Sequence, residues 1–394
     1  MEPKKKILGI VSAMHATRQG EGVCIHLSFG RVIDQLAKSH DKTYLSVPIK
    51  TAGADASRDH RIKVDNLEVI AQPPYSSSLG SLKHVVGIVR AYFRICRRVH
   101  FLFIRGMVPY VGVLYLFAFL FRLRPCHWIT GNPIALLQTH RRSSRVVDAF
   151  SLAYARQDRA LTRLGRWLTG GAFVCNGQEL GDIYKSPRTV VAVSSTVTDD
   201  EFHERSDTCQ DSTVRILFIG FVRPEKGVQY LIEAVNRLKT DRPWELVLVG
   251  PCEPFHAYRA KLDNLIEQSC IGDRVSWEGY VPYGPDMFRY LRECDVFVLP
   301  TLSEGTPRVL VEARANSLPV VATNVGGIPT SVTDGVDGLL VPPKNVDALA
   351  DAITRIVNDG ELRRALIHNG LRSARSLTVD RFADLVVGVL RESK

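Results

Sequence analysis

Two carboxylates and two cations carry the chemistry that the sequence points to. Glu304 lies in the turn Ser303-Glu304-Gly305-Thr306-Pro307, and Glu312 follows eight positions on, among apolar residues. Asp295 to Pro300 has the length of a buried parallel strand. Thr306 suits a helix cap and Pro307 the first helical turn. At about 1.5 Å of rise per residue, the helix carries Glu312 about 9 Å beyond Thr306. That spacing lets two acids grip different parts of one extended ligand. Between them the free amides and positive dipole end of the helix favour a phosphate. Val309, Leu310, Ala313 and Ala315 are expected to form the buried face. Leu318 to Thr323 then returns as a strand towards Gly326-Gly327. The cations stand in a second loop, Gly220-Phe221-Val222-Arg223-Pro224-Glu225-Lys226-Gly227. Arg223 and Lys226, fixed where a strand end meets a helix start, can neutralise a diphosphate leaving group. The loop lacks the G-x4-G-K-[ST] order of a P-loop. Alone it would read as two surface cations in an ordinary turn, and Gly326-Gly327 alone as a plain turn. A solvated acidic helix is the bland reading of Glu312, but its apolar neighbours argue against indifferent exposure. Together these residues read as a nucleotide-sugar site.

The elements that must hold them alternate strand and helix in two halves, the pattern of two parallel-sheet domains. Lys6 to Ala13 reads as a strand, followed by a polar loop carrying Gly20 and Gly22. A helix over 23–37 completes a Rossmann-type opening, in which both glycines would let the backbone approach a ligand. Further strands are expected over 43–47, 67–70, 101–104, 127–130, 172–175 and 190–193. Arg105 ends the fourth of these seven strands, and Asn132 follows the fifth in Gly131-Asn132-Pro133. Helices are expected over 82–99, 106–121 and 140–166. The polar stretch 194–213 reads as a linker, after which the βα succession restarts. The expected domains are 1–195, 212–375, and a C-terminal helix within 376–394.

The chain has 394 residues, 45% hydrophobic and 23% charged, which fits two ordinary globular domains. Its net charge of +10 is uneven. Residues 1–200 hold 28 Lys and Arg against 14 Asp and Glu; residues 201–394 hold 23 against 27. The basic half can meet nucleic acid, anionic lipid or a phosphorylated substrate. No nucleic-acid motif accompanies the charge, so no nucleic-acid partner is expected. Eight cysteines without paired spacing read as reduced thiols. The short apolar run after the basic start reads as a first strand and not as a signal peptide. Gly106 to Phe121 is uncharged but shorter than the roughly 20 residues of a membrane span. The arginines of 140–166 read as a solvated face or as contacts to anionic lipid headgroups or a phosphorylated acceptor. A cytoplasmic location is expected, with peripheral contact to an anionic inner membrane leaflet.

Glu304 and Glu312 form an E-x7-E pattern within SEGTPRVLVEARANSLPVVATNVGGIPTSVTDGVDGLLVPP. With IGFVRPEKGVQYLIEA, this stretch closely resembles the retaining glycosyltransferases of family 4. The resemblance is dense over about 214–355 and thinner in the first half, where it rests on Gly20/Gly22 and VCNGQELGDIY. It implies an α/β chain of GT-B fold, two Rossmann-like parallel-sheet domains facing across a cleft. It further implies that Arg223 and Lys226 bind the donor diphosphate beside Gly220, and that Glu312 holds the ribose hydroxyls. Glu304 would contact the transferred sugar, with the backbone near Gly305 and Thr306 touching sugar and phosphate. Glu278, Gly279, Tyr280 and Val281 would line the base. Arg105 and Asn132 are the candidates for acceptor or phosphate contact in the first domain, with Gly20 and Gly22.

The family uses no essential metal or cofactor, and the chain contains no Asp-x-Asp. Two departures stand out. Phe221 occupies the place of a common arginine, and Thr130 or Asn132 stands where many members have a histidine. The implied activity is metal-independent, retaining hexosyl transfer from a nucleoside diphosphate sugar to a glycan or lipid-linked acceptor, in polysaccharide or glycolipid synthesis. A nucleotide-sugar 2-epimerase of the same fold and a non-catalytic nucleotide-sugar binder are the alternatives.

Overall fold

The computed structural model describes residues 6–20, 22–50, 59–76, 80–139, 145–253 and 255–392. Glu21 of the first loop and Arg141 and Arg142 of the basic stretch lie outside the described residues. The chain divides into two compact units, Met1–Ala192 with Val379–Lys394, and Val193–Thr378.

Unit 1 is built on β1 (Ile7–Ser12), β4 (Lys42–Ser46), β7 (Leu67–Val69), β8 (Phe101–Arg105), β9 (Cys126–Ile129), β10 (Ala172–Asn176) and β11 (Thr189–Ala192). They form a parallel sheet in the order β11-β10-β9-β8-β1-β4-β7. The first loop departs from the expected glycine loop. It is a hairpin of β2 (Ala16–Gln19) and β3 (Gly22–His26), joined by β5 (Ile49–Lys50) and β6 (Asp59–Arg61) in a small second sheet. Val23 and Ile25 are β-branched and favour the strand, while Gly20 turns the chain at φ +59. Gly22 leaves room for the Arg61 guanidinium, which a Cβ would meet at 2.9 Å. Helix α1 (Leu27–Lys38) therefore begins four residues later than its periodicity predicts.

α1 and α14 (Val379–Arg391) cover one face of the sheet, where Phe29, Val32, Phe382 and Val386 join the core of Leu8, Ile10 and Phe103. Phe382 packs on Trp128 with ring centroids 4.8 Å apart. The other face carries α2 (Val85–Cys96) and α3 (Val111–Leu120), with α5 (Arg145–Thr169) packed on α3. Helix α3 is ten residues and not sixteen, because Tyr110 before it takes φ +53. Short α4 (Pro133–Thr139) and α6 (Gln178–Ile183) complete the unit. All eight cysteines of the chain are free thiols.

Unit 2 has β12 (Val214–Ile219), β13 (Trp244–Val249), β14 (Val275–Gly279), β15 (Val296–Leu299), β16 (Val320–Thr323) and β17 (Leu339–Val341). These are parallel, in the order β14-β13-β12-β15-β16-β17. The chain leaves β12 for β13 on one side and later returns to β12's other side with β15. The strand order therefore reverses between β12 and β15. In open parallel sheets the crevice at such a switch point takes the ligand. Helices α7 (Val228–Val235), α8 (His256–Gln268), α9 (Pro285–Glu293), α10 (Val309–Ala315), α11 (Ile328–Ser331), α12 (Val346–Asn358) and α13 (Gly360–Arg375) surround the sheet. No helix among the described residues is long and apolar enough to cross a membrane.

Two buried titratable groups of unit 1 oppose each other in pH dependence. Asp158 on α5 is buried beside Tyr92, Tyr115 and Tyr184, and desolvation raises its carboxyl to about 7. An unfolded aspartate titrates near ~3.9, so between about pH 4 and 7 the native state alone keeps this proton. Asp158 thus makes stability fall as pH rises through that window. Burial lowers His127 to about 4, which makes stability rise with pH between about 4 and 6.5. Asp158→Asn removes only the first slope. The variant is expected to gain stability relative to the parent as pH goes from 5 to 7, read from urea midpoints at the two values.

Candidate functional site

At the switch point of unit 2 the two loops singled out by chemistry meet. Lys226 ends a single 3-10 turn (Pro224–Lys226) after β12, and Glu304 lies in the turn after β15. Lys226 Nζ donates to Glu304 Oε2 in an ion pair whose side chains are 14% and 19% exposed. Such a pair holds its geometry better than a solvated one, and loss of either partner strands a charge. The backbone braces it. The Glu225 carbonyl accepts from Leu302 N at 2.7 Å and from Thr301 Oγ1 at 3.0 Å.

Glycines allow the loops to lie this close. Gly227 has φ +67, and a Cβ there would overlap the Pro300 carbonyl. A Cβ on Gly250 (φ +142) would overlap the carbonyl of Gly220, and one on Gly326 (φ +55) that of Glu304. Gly327 N donates to Gly305 O at 2.8 Å. The Gly326-Gly327 pair therefore clamps the acidic turn and is more than a plain turn. On the other side, Gly250 N donates to Gly279 O at 2.7 Å. Backbone contacts thus run across the C-terminal ends of β14, β13, β12, β15 and β16.

Other residues sit around this line. Arg223 Nε lies 3.1 Å from Glu225 Oε1, and its guanidinium covers the exposed Phe221 ring at 5.2 Å. Thr306 does not cap a helix. Its buried Oγ1 faces Gly327 and has no hydrogen-bond partner among the described residues. Helix α10 starts at Val309, after Arg308, and is seven residues long. It also lacks a solvated face. Arg314, 1% exposed, donates to Asp337 Oδ2 at 2.6 Å, Ser331 Oγ at 2.9 Å and Ser373 Oγ at 3.1 Å. With that side of α10 filled, Glu312 is buried as well, at 6% exposure. It accepts from Thr196 Oγ1 at 2.5 Å. Glu278, Gly279 and Tyr280 are exposed at the sheet edge, Val281 half-buried, and Tyr290 OH donates to Glu278 at 2.7 Å.

The unit 1 candidates form separate groups. Gly20 is at the exposed hairpin tip and Gly22 in β3. Arg105 ends β8 level with Ser12 of β1, its guanidinium over Phe29 at 4.7 Å and Trp128 at 5.2 Å. Asn132 donates to Glu179 at 3.1 Å and accepts from Arg159 at 2.8 Å. His127 is a core histidine, between Tyr115 OH at 3.1 Å and the Gly106 carbonyl at 2.8 Å.

The family described as glycosyl transferases group 1 matches residues 199–373, the stretch that carries this geometry. Residues 199–373 are thus similar to a glycosyltransferase group 1 domain. The chain is 32% identical over 165 residues to an uncharacterised glycosyltransferase of Methanocaldococcus jannaschii, covering 42% of this chain and 41% of that one. Over 183 residues it is 31% identical to the alpha-D-kanosaminyltransferase of Streptomyces kanamyceticus, covering 45% of each. The matches thus span less than half the length of either of these curated relatives. By structure it is similar to HepE of Anabaena in complex with UDP, with TM-score 0.70 and 18% identity over 98% of this chain and 100% of that one. The fold is GT-B, two parallel-sheet α/β units.

Sequence reasoning missed Thr196, which bonds Glu312 from outside the motif, and Arg314, which ties α10 to Ser331, Asp337 and Ser373. It also missed the close approaches of Gly227 and Gly250, whose only local signals are a glycine before α7 and a glycine directly after β13. Gly326→Ala is expected to destabilise the domain by at least about 2 kcal/mol, through a strained φ and the clash with Glu304. A Cβ on Gly305 meets nothing within 4 Å, so Gly305→Ala is expected to leave the thermal midpoint nearly unchanged.

Proposed function

We propose that this protein is a retaining glycosyltransferase of family 4 type, acting on a nucleoside diphosphate sugar. The observation that carries the reading is the Lys226–Glu304 pair at the switch point of a group 1 domain. A donor diphosphate arriving there competes with Glu304 for the Lys226 ammonium, with Arg223 as the second cation. Glu304, released, turns to the hydroxyls of the transferred sugar. Thr306 Oγ1 and the backbone of Gly305 are at hand for sugar and phosphate. Glu312 takes the ribose hydroxyls, and 278–281 line the base. The bond from sugar C1 to the diphosphate oxygen breaks, and its electron pair leaves with the nucleoside diphosphate. The acceptor oxygen bonds to C1 on the same face and passes its proton to the leaving phosphate oxygen. Lys226 and Arg223 stabilise the charge that develops, a role preorganised cations fill without an added metal.

The acceptor in this reading is a glycan or lipid-linked sugar, met by the basic unit 1 with Arg105 and Asn132 as contact candidates. Synthesis of a cell-surface polysaccharide or glycolipid on the cytoplasmic side, with peripheral membrane contact, belongs to the same proposal.

A screen of nucleoside diphosphates by thermal shift names the donor base, because a ligand that binds only the folded state raises its midpoint. With the matching sugar donor, Lys226→Met and Glu304→Gln are each expected to lower transfer about a hundredfold or more while the fold is retained. Normal turnover by either variant overturns the assignment. Conversion of the donor to a free or epimerised sugar without acceptor would favour the epimerase. Glu312→Gln addresses the ribose contact separately. It is expected to weaken nucleoside diphosphate binding about tenfold and to leave inorganic pyrophosphate binding unchanged.

A further inference from the structure

The outer helix layer of unit 1 leaves more large apolar side chains in water than its packing requires. On α3, Leu116, Phe119 and Leu120 are 53%, 52% and 62% exposed. On α5, Leu164, Trp167 and Leu168 are 50%, 68% and 47% exposed. Helix α3 lies between its two neighbours. Phe93 of α2 meets Phe117 and Phe121 edge-on at 5.6 Å, while Gly112 and Gly165 let α3 and α5 close on Leu161 and Tyr115. The exposed side chains therefore belong to two helices packed on each other, α3 and α5, with α2 packed on α3 as well. Over its ten residues α3 has no charge, and a helix apolar all round belongs in a core or in lipid. Three of its ten side chains, Leu116, Phe119 and Leu120, are exposed and so in neither.

Among the exposed residues of α2, α3 and α5 the charge has one sign, and the two acids of α5, Asp148 and Asp158, are half-buried and buried. From Val69 to Val147, 79 consecutive residues contain 11 Lys and Arg and no Asp or Glu. Arg90 and Arg94 on α2, Arg122 and Arg124 just after α3, and Arg156 on α5 are exposed on these same elements.

We propose that the α2–α3–α5 face docks unit 1 on an anionic phospholipid bilayer. Trp167, Phe119 and Leu120 enter the interfacial layer, and the arginines meet headgroup phosphates. This deepens the peripheral contact of the functional reading by naming its surface and mode. Two other occupants fit less well. A nucleic acid would satisfy the arginines and leave the leucines and Trp167 in water. A second copy docked about a twofold axis would bring two arginine rims together.

The test measures co-flotation of the full-length protein, without substrates, on vesicles of phosphatidylcholine alone and of phosphatidylcholine with phosphatidylglycerol in equal parts. Binding to the anionic vesicles is expected, with retention at high salt and a blue shift of tryptophan emission that Trp167→Phe removes. Leu120→Ser combined with Trp167→Ser is expected to weaken that binding about tenfold or more, with every arginine intact. Arg90→Glu with Arg94→Glu is expected to weaken it at low salt. Both double variants should keep the parent's thermal midpoint. No flotation on anionic vesicles, binding abolished by high salt, or binding indifferent to the serine pair overturns the proposal. So does a stable dimer in sedimentation that buries Trp167. None of these readouts uses the donor site, so an error there leaves the test intact.

Discussion

The contact on which unit 2 depends is the close approach of backbone to backbone at the C-terminal ends of its strands. Gly250 over Gly220, Gly227 over Pro300 and Gly326 over Glu304 place three glycine Cα atoms where a side chain would overlap a carbonyl. Each contact ties the loop of one strand to that of its neighbour. The sum is a line of loops with little freedom to separate. On that line Lys226 and Glu304 can stand as a nearly buried ion pair, an arrangement that flexible loops would lose to hydration and side-chain entropy.

The second support is α10. Most surface helices expose a polar stripe, but this one is enclosed. Arg314 bonds outward to the α11 and α13 region through Ser331, Asp337 and Ser373. Val311 and Ala315 pack against Val193, Val197 and Ala374, near the two places where the chain enters and leaves unit 2. Glu312 is consequently fixed in depth and direction, with Thr196 from the entering segment on its carboxylate.

Unit 1 shares the architecture but spends its side chains differently. Its glycines at 20 and 22 shape a hairpin, and Asn132 is engaged with Arg159 and Glu179. Arg105 alone of its candidates stands at the corresponding switch point, beside β1 and against two aromatic rings. The chain then returns α14 to this sheet, where Phe382 and Val386 close a core that the first 192 residues leave open on that face.

The alternation of strand and helix, the two-unit α/β class and the residue types of the candidate site are legible in the residue order alone. Those follow from burial period and from chemistry that only a few side chains possess. Helix starts read less well at Val23 and Thr306, where β-branched residues and a tertiary contact outweighed the local pattern. Which charges meet depends on the packing of the folded unit. Lys226 and Glu304 are 78 positions apart, and nothing local specifies that β15 returns beside β12. The same packing buries Glu312, since burial on every side of α10 depends on elements distant in the chain. Residue order records the period of an element and the chemistry of a side chain. The partner across a parallel sheet is chosen by the packing of the whole unit.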